Sequence, residues 1–306
     1  MEQRSGLIVK RRLIYLNINW IPASMNLKVW ILLILCFLAQ TLPAQHWEVG
    51  LAVGTSFYRG DLEPVEIAKT TETLRFAKGL FARYQFTRLV TARLSLSHFA
   101  LFGDDQISQN RRNLNFETKI FEAALLGEIN LLGFDPQFTD QLFSPFLYAG
   151  VAYFHYNPRT FFEGQWYDLQ PLGTEGQGLP QYPDKKVYSL HGLAIPVGAG
   201  LKYSPFYFVN FGLDIGGRIS FSDYLDDVST EYAGYNELAE QRGELAARLA
   251  DREWELNGSA PIDKKGRQRG NPQINDFYFL INFTVSINLY GLWPSTSFKR
   301  SGCPNN

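Results

Sequence analysis

The sequence predicts an all-β fold, an eight-stranded antiparallel up-and-down transmembrane β-barrel with long external loops, one of them containing a short helix. Three observations predict it: period-two hydropathy in long segments, alternation of long and short connections, and an apolar leader near the start. From Phe277 to Tyr290 the odd positions are Phe277, Phe279, Ile281, Phe283, Val285, Ile287 and Leu289, while the even ones include Asn282, Thr284, Ser286 and Asn288. One face is apolar and the other polar, which a helix would mix. Asn210 to Ser220 repeats the pattern, with Phe211, Leu213, Ile215 and Ile219 set against Asn210, Asp214, Arg218 and Ser220. Both segments reach the roughly 9 to 11 residues that a tilted membrane strand requires.

Six further segments follow the same rule: Trp47 to Arg59, Leu74 to Phe86, Val90 to Leu101, Phe116 to Leu131, Pro145 to Tyr156 and Tyr188 to Tyr203. Their lipid-facing positions include Val49, Leu51, Val53, Leu80, Leu94, Leu96, Phe121, Leu125, Ile129, Leu147, Val151, Leu193, Ile195 and Leu201. The opposite faces carry glycines and charges of both signs. Arg83, Arg93, Glu122, Glu128, Lys202, Asp214 and Arg218 are expected to share the interior as a paired network, because an eight-stranded barrel is just wide enough to be filled by its own side chains. A narrow conducting path is the other reading of the same residues. The connections run long (Gly60 to Thr73), short (Thr87 to Leu89), long (Phe102 to Asn115), medium (Leu132 to Ser144), long (Asn157 to Val187), short (Ser204 to Phe206) and long (Phe221 to Asn275). That is the order of external loops and periplasmic turns in an outer-membrane barrel. A soluble sandwich or lipocalin-like barrel could share the alternation, but it would hide the apolar set. Within the last loop, Glu237 to Leu256 has helical spacing through Leu238, Leu245, Leu249 and Trp254.

Composition is compatible with this fold. The chain has 306 residues with 45% hydrophobic side chains, too few for a bundle of membrane helices but normal for a barrel, where only alternate residues meet lipid. Aromatic residues reach 15%, as strands and interface girdles favour. Near the N-terminus, Lys28 precedes an apolar run from Val29 to Ala39 and the stretch Thr41 to Gln45, the pattern of a secretory signal peptide cleaved after Ala44. Residues 1–24 then read as a start-site extension, residues 45–291 as the barrel and 292–306 as a periplasmic tail. An uncleaved anchor, or a lipoprotein acylated at Cys36, are the other readings of the leader. Cleavage leaves 24 basic against 29 acidic residues and only Cys303, so there is no internal disulfide and no basic tract for nucleic acid.

Sites for chemistry are sparse. A hydrolase at the barrel mouth would need a nucleophile, a base and an orienting group. His155 and His191 with Ser189 and Asp184 are the candidates, without nucleophile-elbow or metal spacing, and His46 and His98 are isolated. The expectation is a protein that is not an enzyme and takes no cofactor or metal. Asp223, Asp226, Asp227 and Glu231 form an acidic cluster, read as a solvated loop cap, with calcium as the sharper alternative.

Several strings carry a resemblance. Glu48-Val49-Gly50-Leu51 leads to Tyr58-Arg59-Gly60-Asp61-Leu62, Ser222-Asp223-Tyr224-Leu225-Asp226-Asp227-Val228-Ser229-Thr230 follows, and Arg269-Gly270-Asn271-Pro272 stands just before the last strand. Together they resemble the PorG-like outer-membrane barrels of Bacteroidota. The resemblance implies an eight-stranded barrel in the bacterial outer membrane. It also implies association with the type IX secretion machinery, with outer-membrane lipid and periplasmic secretion-ring proteins as partners. It marks Gly60, Asp61, Asp223, Tyr224, Asp226, Asp227, Arg269 and Asn271 as family loop residues. The alternative is a stand-alone surface barrel whose external loops bind a ligand, glycan or host factor.

Overall fold

The computed structural model describes residues 47–64, 66, 69–108, 110–138 and 140–289. The expected leader, residues 1–44, and the expected tail, residues 292–306, lie outside the described residues. Eight long strands form the wall: β1 (Trp47–Arg59), β2 (Arg75–Gln85), β3 (Val90–Asp104), β4 (Asn115–Asn130), β5 (Phe143–Phe162), β7 (His191–Phe206), β8 (Val209–Ser220) and β9 (Phe277–Asn288). Neighbours in sequence pair antiparallel, β5 pairs with β7, and β1 pairs with β9 in a register running from Glu48 opposite Asn288 to Arg59 opposite Phe277, so the ring is closed. A short ninth strand, β6 (Gln165–Asp168), folds back only on the end of β5.

Closure leaves no edge in the eight-stranded wall, and the pleat then sorts side chains by parity. Leu51, Leu80, Leu125 and Val151 are 57%, 58%, 56% and 62% exposed on the outer wall, whereas Ala52, Phe81, Leu126 and Ala152, each one residue on, are buried. Such a continuous apolar exterior is unstable in water and suited to hydrocarbon, where each large side chain gains about 1.5–3 kcal/mol. No helix of the described residues is long and apolar enough to cross a membrane.

Residues 86–89, 131–142 and 207–208 connect strands at one end, called here the turn end, and two of these are tight turns; residues 60–74, 105–114, 163–190 and 221–276 connect them at the other, the loop end. At the loop end the long segments fold into a cap. It contains α1 (Thr70–Thr73), α2 (Asp105–Ser108), α3 (Tyr235–Arg242), α4 (Glu244–Ala250) and α5 (Glu253–Asn257), with a 3-10 turn at Gln170–Leu172.

Three expectations are corrected. The helix expected over Glu237 to Leu256 is three short helices, because Gly243, at φ +93°, takes a conformation that favours glycine and Asp251 is extended at φ −135°. Residues Asn157 to Phe162, expected in a loop, extend β5 to 20 residues and turn into β6. There the strand leaves the apolar belt: its outward face carries Asn157 and Arg159 before Phe161, so the greasy alternation that marks a membrane strand is interrupted. Conversely, Tyr188 to Leu190 precede β7 and do not belong to it.

Candidate functional site

All seven interior charges expected from the sequence lie inside the ring, between 0% and 4% exposed. Parity explains their direction, and pairing explains why they are tolerated. Arg83 donates Nη1 to Glu48 Oε1 at 2.6 Å and Nε to Glu128 Oε1 at 3.2 Å. Lys202 Nζ donates to Glu128 Oε2 at 2.5 Å and to Asn130 Oδ1 at 3.0 Å. Arg93 reaches Asp214 at 3.3 Å, and its ring-facing guanidinium shares the Phe81 face with Arg83, at 4.7 and 4.4 Å from the centroid. Nearer mid-height, Arg218 lies 3.6 Å from Glu122, which also accepts the Tyr278 hydroxyl at 2.8 Å. Arg83, Arg93, Lys202 and Arg218 are thus matched by Glu48, Glu122, Glu128 and Asp214. Glu48, missed by sequence reasoning, sits one residue into β1 at the turn end, at its first inward position, where parity was the available signal.

Above this layer the bore turns aromatic. Tyr58, Phe99, Phe116, Phe154, Tyr156 and Tyr278 are all buried, with Tyr58 edge-on to Phe116 at 4.9 Å and Phe154 edge-on to Tyr278 at 6.0 Å. Leu225 and Val228 descend from the cap into the same cluster, tied by Thr118 Oγ1 donating to the Leu225 carbonyl. Side chains occupy the bore at both levels, and their near-zero exposure leaves no room there for a water-filled channel. The turn end is covered as well: Phe134 is buried, its amide donates to the Arg88 carbonyl at 2.8 Å, and its carbonyl accepts Gln85 Nε2 at 2.6 Å.

The cap gathers the motif residues from distant parts of the chain. Asp61 accepts the Asn271 amide through both oxygens, at 3.1 and 3.0 Å. Arg269 donates to the Asp227 carbonyl at 2.5 Å, the Glu175 carboxylate at 3.1 Å and the Ala250 carbonyl at 3.1 Å. Burial opposes the Arg269 charge, yet Glu175 and Asp227 outweigh it and raise its pKa. Glu175 in turn accepts the Ser229 and Thr230 amides at 2.9 and 3.1 Å and the Thr230 hydroxyl at 2.6 Å. Tyr224 stacks on Tyr188 at 4.5 Å, and Tyr188 donates to Asp227 Oδ1 at 2.6 Å.

The acidic cluster is solvated only in part: Glu231 is exposed and Asp223 half-buried, and Asp226 accepts the Val228 amide as a loop tie, but the two central carboxyls are buried. Asp226 and Asp227 are 2% and 0% exposed. Burial pushes Asp227 up to about 6 against the pull of Arg269, and pushes Asp223 up to about 7, with Asp61 and Glu175 adding to the rise. Among the described residues Asp226 forms no ion pair, and Arg112 reaches it only through its charge. The Tyr58 hydroxyl lies 2.7 Å from Asp226 Oδ2 and 2.6 Å from Asp276 Oδ1. A phenol has one proton to donate, so the second short contact needs a protonated carboxyl that donates back. Burial first, and the neighbouring carboxylates second, raise Asp226 and Asp276 well above the ordinary carboxylate range, which supplies that proton. Gly60 makes room for the group: a Cβ there would sit 2.0 Å from the Tyr58 oxygen and 2.3 Å from Asp276 Oδ1. Among the described residues no group of three His, Cys, Asp or Glu side chains is arranged to hold a metal.

Residues 27–171 match the model of a domain of unknown function, DUF6089. That stretch ends before Glu175, so Glu175, Asp227 and Arg269 lie outside it. No curated protein matches the chain. Among solved structures the chain is similar to Neisserial surface protein A, with 7% identity and a TM-score of 0.38 over 79% of this chain and 96% of that one. It is similar also to the outer membrane protein OprG from Pseudomonas aeruginosa, with 11% identity and 0.37 over 79% and 93%. Ail, the attachment invasion locus protein of Yersinia pestis, gives 9% and 0.35 over 79% and 98%. These likenesses concern the fold alone.

His46 lies outside the described residues. His155 and His191 stand opposite each other on the outer wall with rings 4.6 Å apart, His191 Nδ1 is 2.8 Å from the Tyr153 hydroxyl, and Ser189 Oγ accepts the His191 amide at 3.0 Å. Sequence reasoning missed Glu175, Asp276, Arg112 and Tyr188. Glu175 sits between Gly173 and Gly176, at φ +58° and +85°, a glycine spacing that signals a tight turn but no partner.

Proposed function

We propose that this chain is a non-enzymatic bacterial outer-membrane barrel that anchors or assembles envelope machinery, with type IX protein secretion as the process it serves. The observation that carries this reading is the filled bore. A ring whose interior is occupied by a paired ionic layer and an aromatic layer has no path for solute, which leaves its two ends and its lipid belt for work. The anchor reading rests on residues 135–143 and the tail, residues 292–306, as the contacts for secretion-ring proteins; at the turn end Arg88 stands 3.5 Å from Asp135 and over the Phe138 ring at 4.4 Å. The resemblance to PorG-like barrels supplies the identity of those partners, and outer-membrane lipid covers the apolar belt.

The test is a mild-detergent pull-down of the tagged full chain from outer membranes, with a turn-end variant carrying Arg88→Glu and Asp140→Lys alongside. Recovery of periplasmic ring proteins that is lost in the variant is the expected result. Recovery of the barrel alone, with secretion intact in a deletion strain, would overturn the anchor reading. It would favour a stand-alone surface protein, a second reading supported by the amount of buried polar structure in the cap.

A further inference from the structure

The cap holds a basin that its own architecture does not use. Between the β1–β2 loop, the β3–β4 loop and residues 253–270 lies a cavity of about 510 Å³, in the size range of small-ligand sites. Five cations line it, and three are committed to the fold. Arg112 donates to the Asp61 and Arg269 carbonyls, both at 2.6 Å, and to Asp105 at 2.9 Å. Arg269 is held as described above. Lys264 lies between Asp251 and Glu253 at 2.7 and 2.5 Å.

Arg111 and Arg267 are different. Both are exposed, and neither guanidinium closes a hydrogen bond or ion pair with another described residue. They converge on the same place nonetheless: the Glu253 carboxyl is lowered first by its hydrogen bond from Lys264 and then by the charges of Lys264, Arg111 and Arg267. Two uncommitted planar forks over one cavity suit an anion that accepts from both. The remaining wall suits hydroxyl groups. Asn110 spends its Nδ2 on Asp105 and Ser108, and Gln268 spends its Nε2 on the Gly270 carbonyl, so each has an amide oxygen left to accept from a ligand. Apart from the buried Tyr232, no lining residue offers an apolar surface for an acyl chain.

We infer that this basin binds an acidic saccharide, a sugar unit bearing a carboxylate, sulfate or phosphate, through Arg111 and Arg267. The inference goes beyond the anchor reading and does not depend on it, since the basin lies at the opposite end of the barrel from residues 135–143.

The test is titration calorimetry on the detergent-solubilised full chain with trigalacturonate, a sulfated carrageenan tetrasaccharide and mannose 6-phosphate. Neutral maltotriose and inorganic phosphate alone serve as comparisons. Saturable binding of at least one acidic sugar, weakened about tenfold or more by Arg111→Gln with Arg267→Gln and weakened by added salt, is expected. The exposed Lys265→Gln, outside the basin, should leave that binding unchanged. The inference is overturned by equal binding of maltotriose, by equal binding of phosphate, by wild-type affinity in the double variant, or by failure of all three acidic sugars to bind at millimolar concentration. Both arginines are unpaired surface groups, so the double variant retains the fold, and its unchanged thermal unfolding confirms that the readout is binding.

Discussion

The two halves of the barrel interior solve the same problem by different means. At the turn end, buried carboxylates face guanidinium and ammonium groups, so the layer is neutral because it is paired. At the loop end, Asp226 and Asp276 face a phenol and each other, and that group approaches neutrality by holding a proton. The first arrangement needs four cations from four different strands in register. The second needs only close approach, for which Gly60 clears the space. Removing a partner is therefore costly in one half and nearly free in the other.

The largest effect should come from Glu128→Gln. Glu128 binds Arg83 and Lys202 directly and lies 3.7 Å from Arg93, so the change strands buried cations and should cost about 3–5 kcal/mol in unfolding from lipid vesicles. A loss below about 1 kcal/mol would mean that water reaches the layer. Next, Arg269→Met leaves Glu175 and Asp227 without their cation and should open the cap. Hydrogen exchange across residues 221–276 should rise about tenfold or more, while the β-strand amides of the wall stay protected. Faster exchange in the strands would show that cap and wall unfold as one unit. The smallest effect belongs to Asp226→Asn, which keeps the shape and a donor where Asp226 and Asp276 share a proton with Tyr58. It should shift stability by less than about 1 kcal/mol near neutral pH, and a Glu128-sized loss would refute the shared proton.

Acidity sharpens the same contrast. The folded-state values of Asp227 and Asp223 are raised, to about 6 and about 7, so their contribution is full below the ordinary carboxylate range and is lost as pH rises through those values. Exchange in residues 221–230 should accordingly be slower at pH 5 than at pH 8, after correction for intrinsic rates. Equal protection at both pH values would mean that these carboxyls are ionised in the cap throughout.

The wall was legible in the sequence because lipid imposes a strict parity on it. Once Phe277 to Asn288 is read as out and in, the direction of Asp214 or Lys202 follows without knowledge of any partner. Legibility ended where the chain left the belt. Asn157 to Phe162 continue as strand in a medium that no longer demands apolar outward residues, and the single helix drawn through Glu237 to Leu256 ignored what Gly243 does to a backbone. The cap was hidden for another reason. Arg269 meets Asp227 and Glu175, 42 and 94 residues earlier, and no local period records contacts of that range. Asp226 and Asp227 looked solvated because adjacent acids usually are; only the positions of Tyr58, Arg269 and Tyr188 reveal their burial.

The pairing of β1 with β9 also bears on the order of assembly. It joins residues as far apart as Glu48 and Asn288, and contacts of such separation carry the largest loop-closure cost and form late. Glu48 sits on that seam, touching Arg83 on one side and the Ser286 hydroxyl of β9 on the other. Until the last strand docks, this carboxylate and its arginine remain open to solvent on the unzipped side, so the ionic layer is completed by closure of the ring and does not guide it.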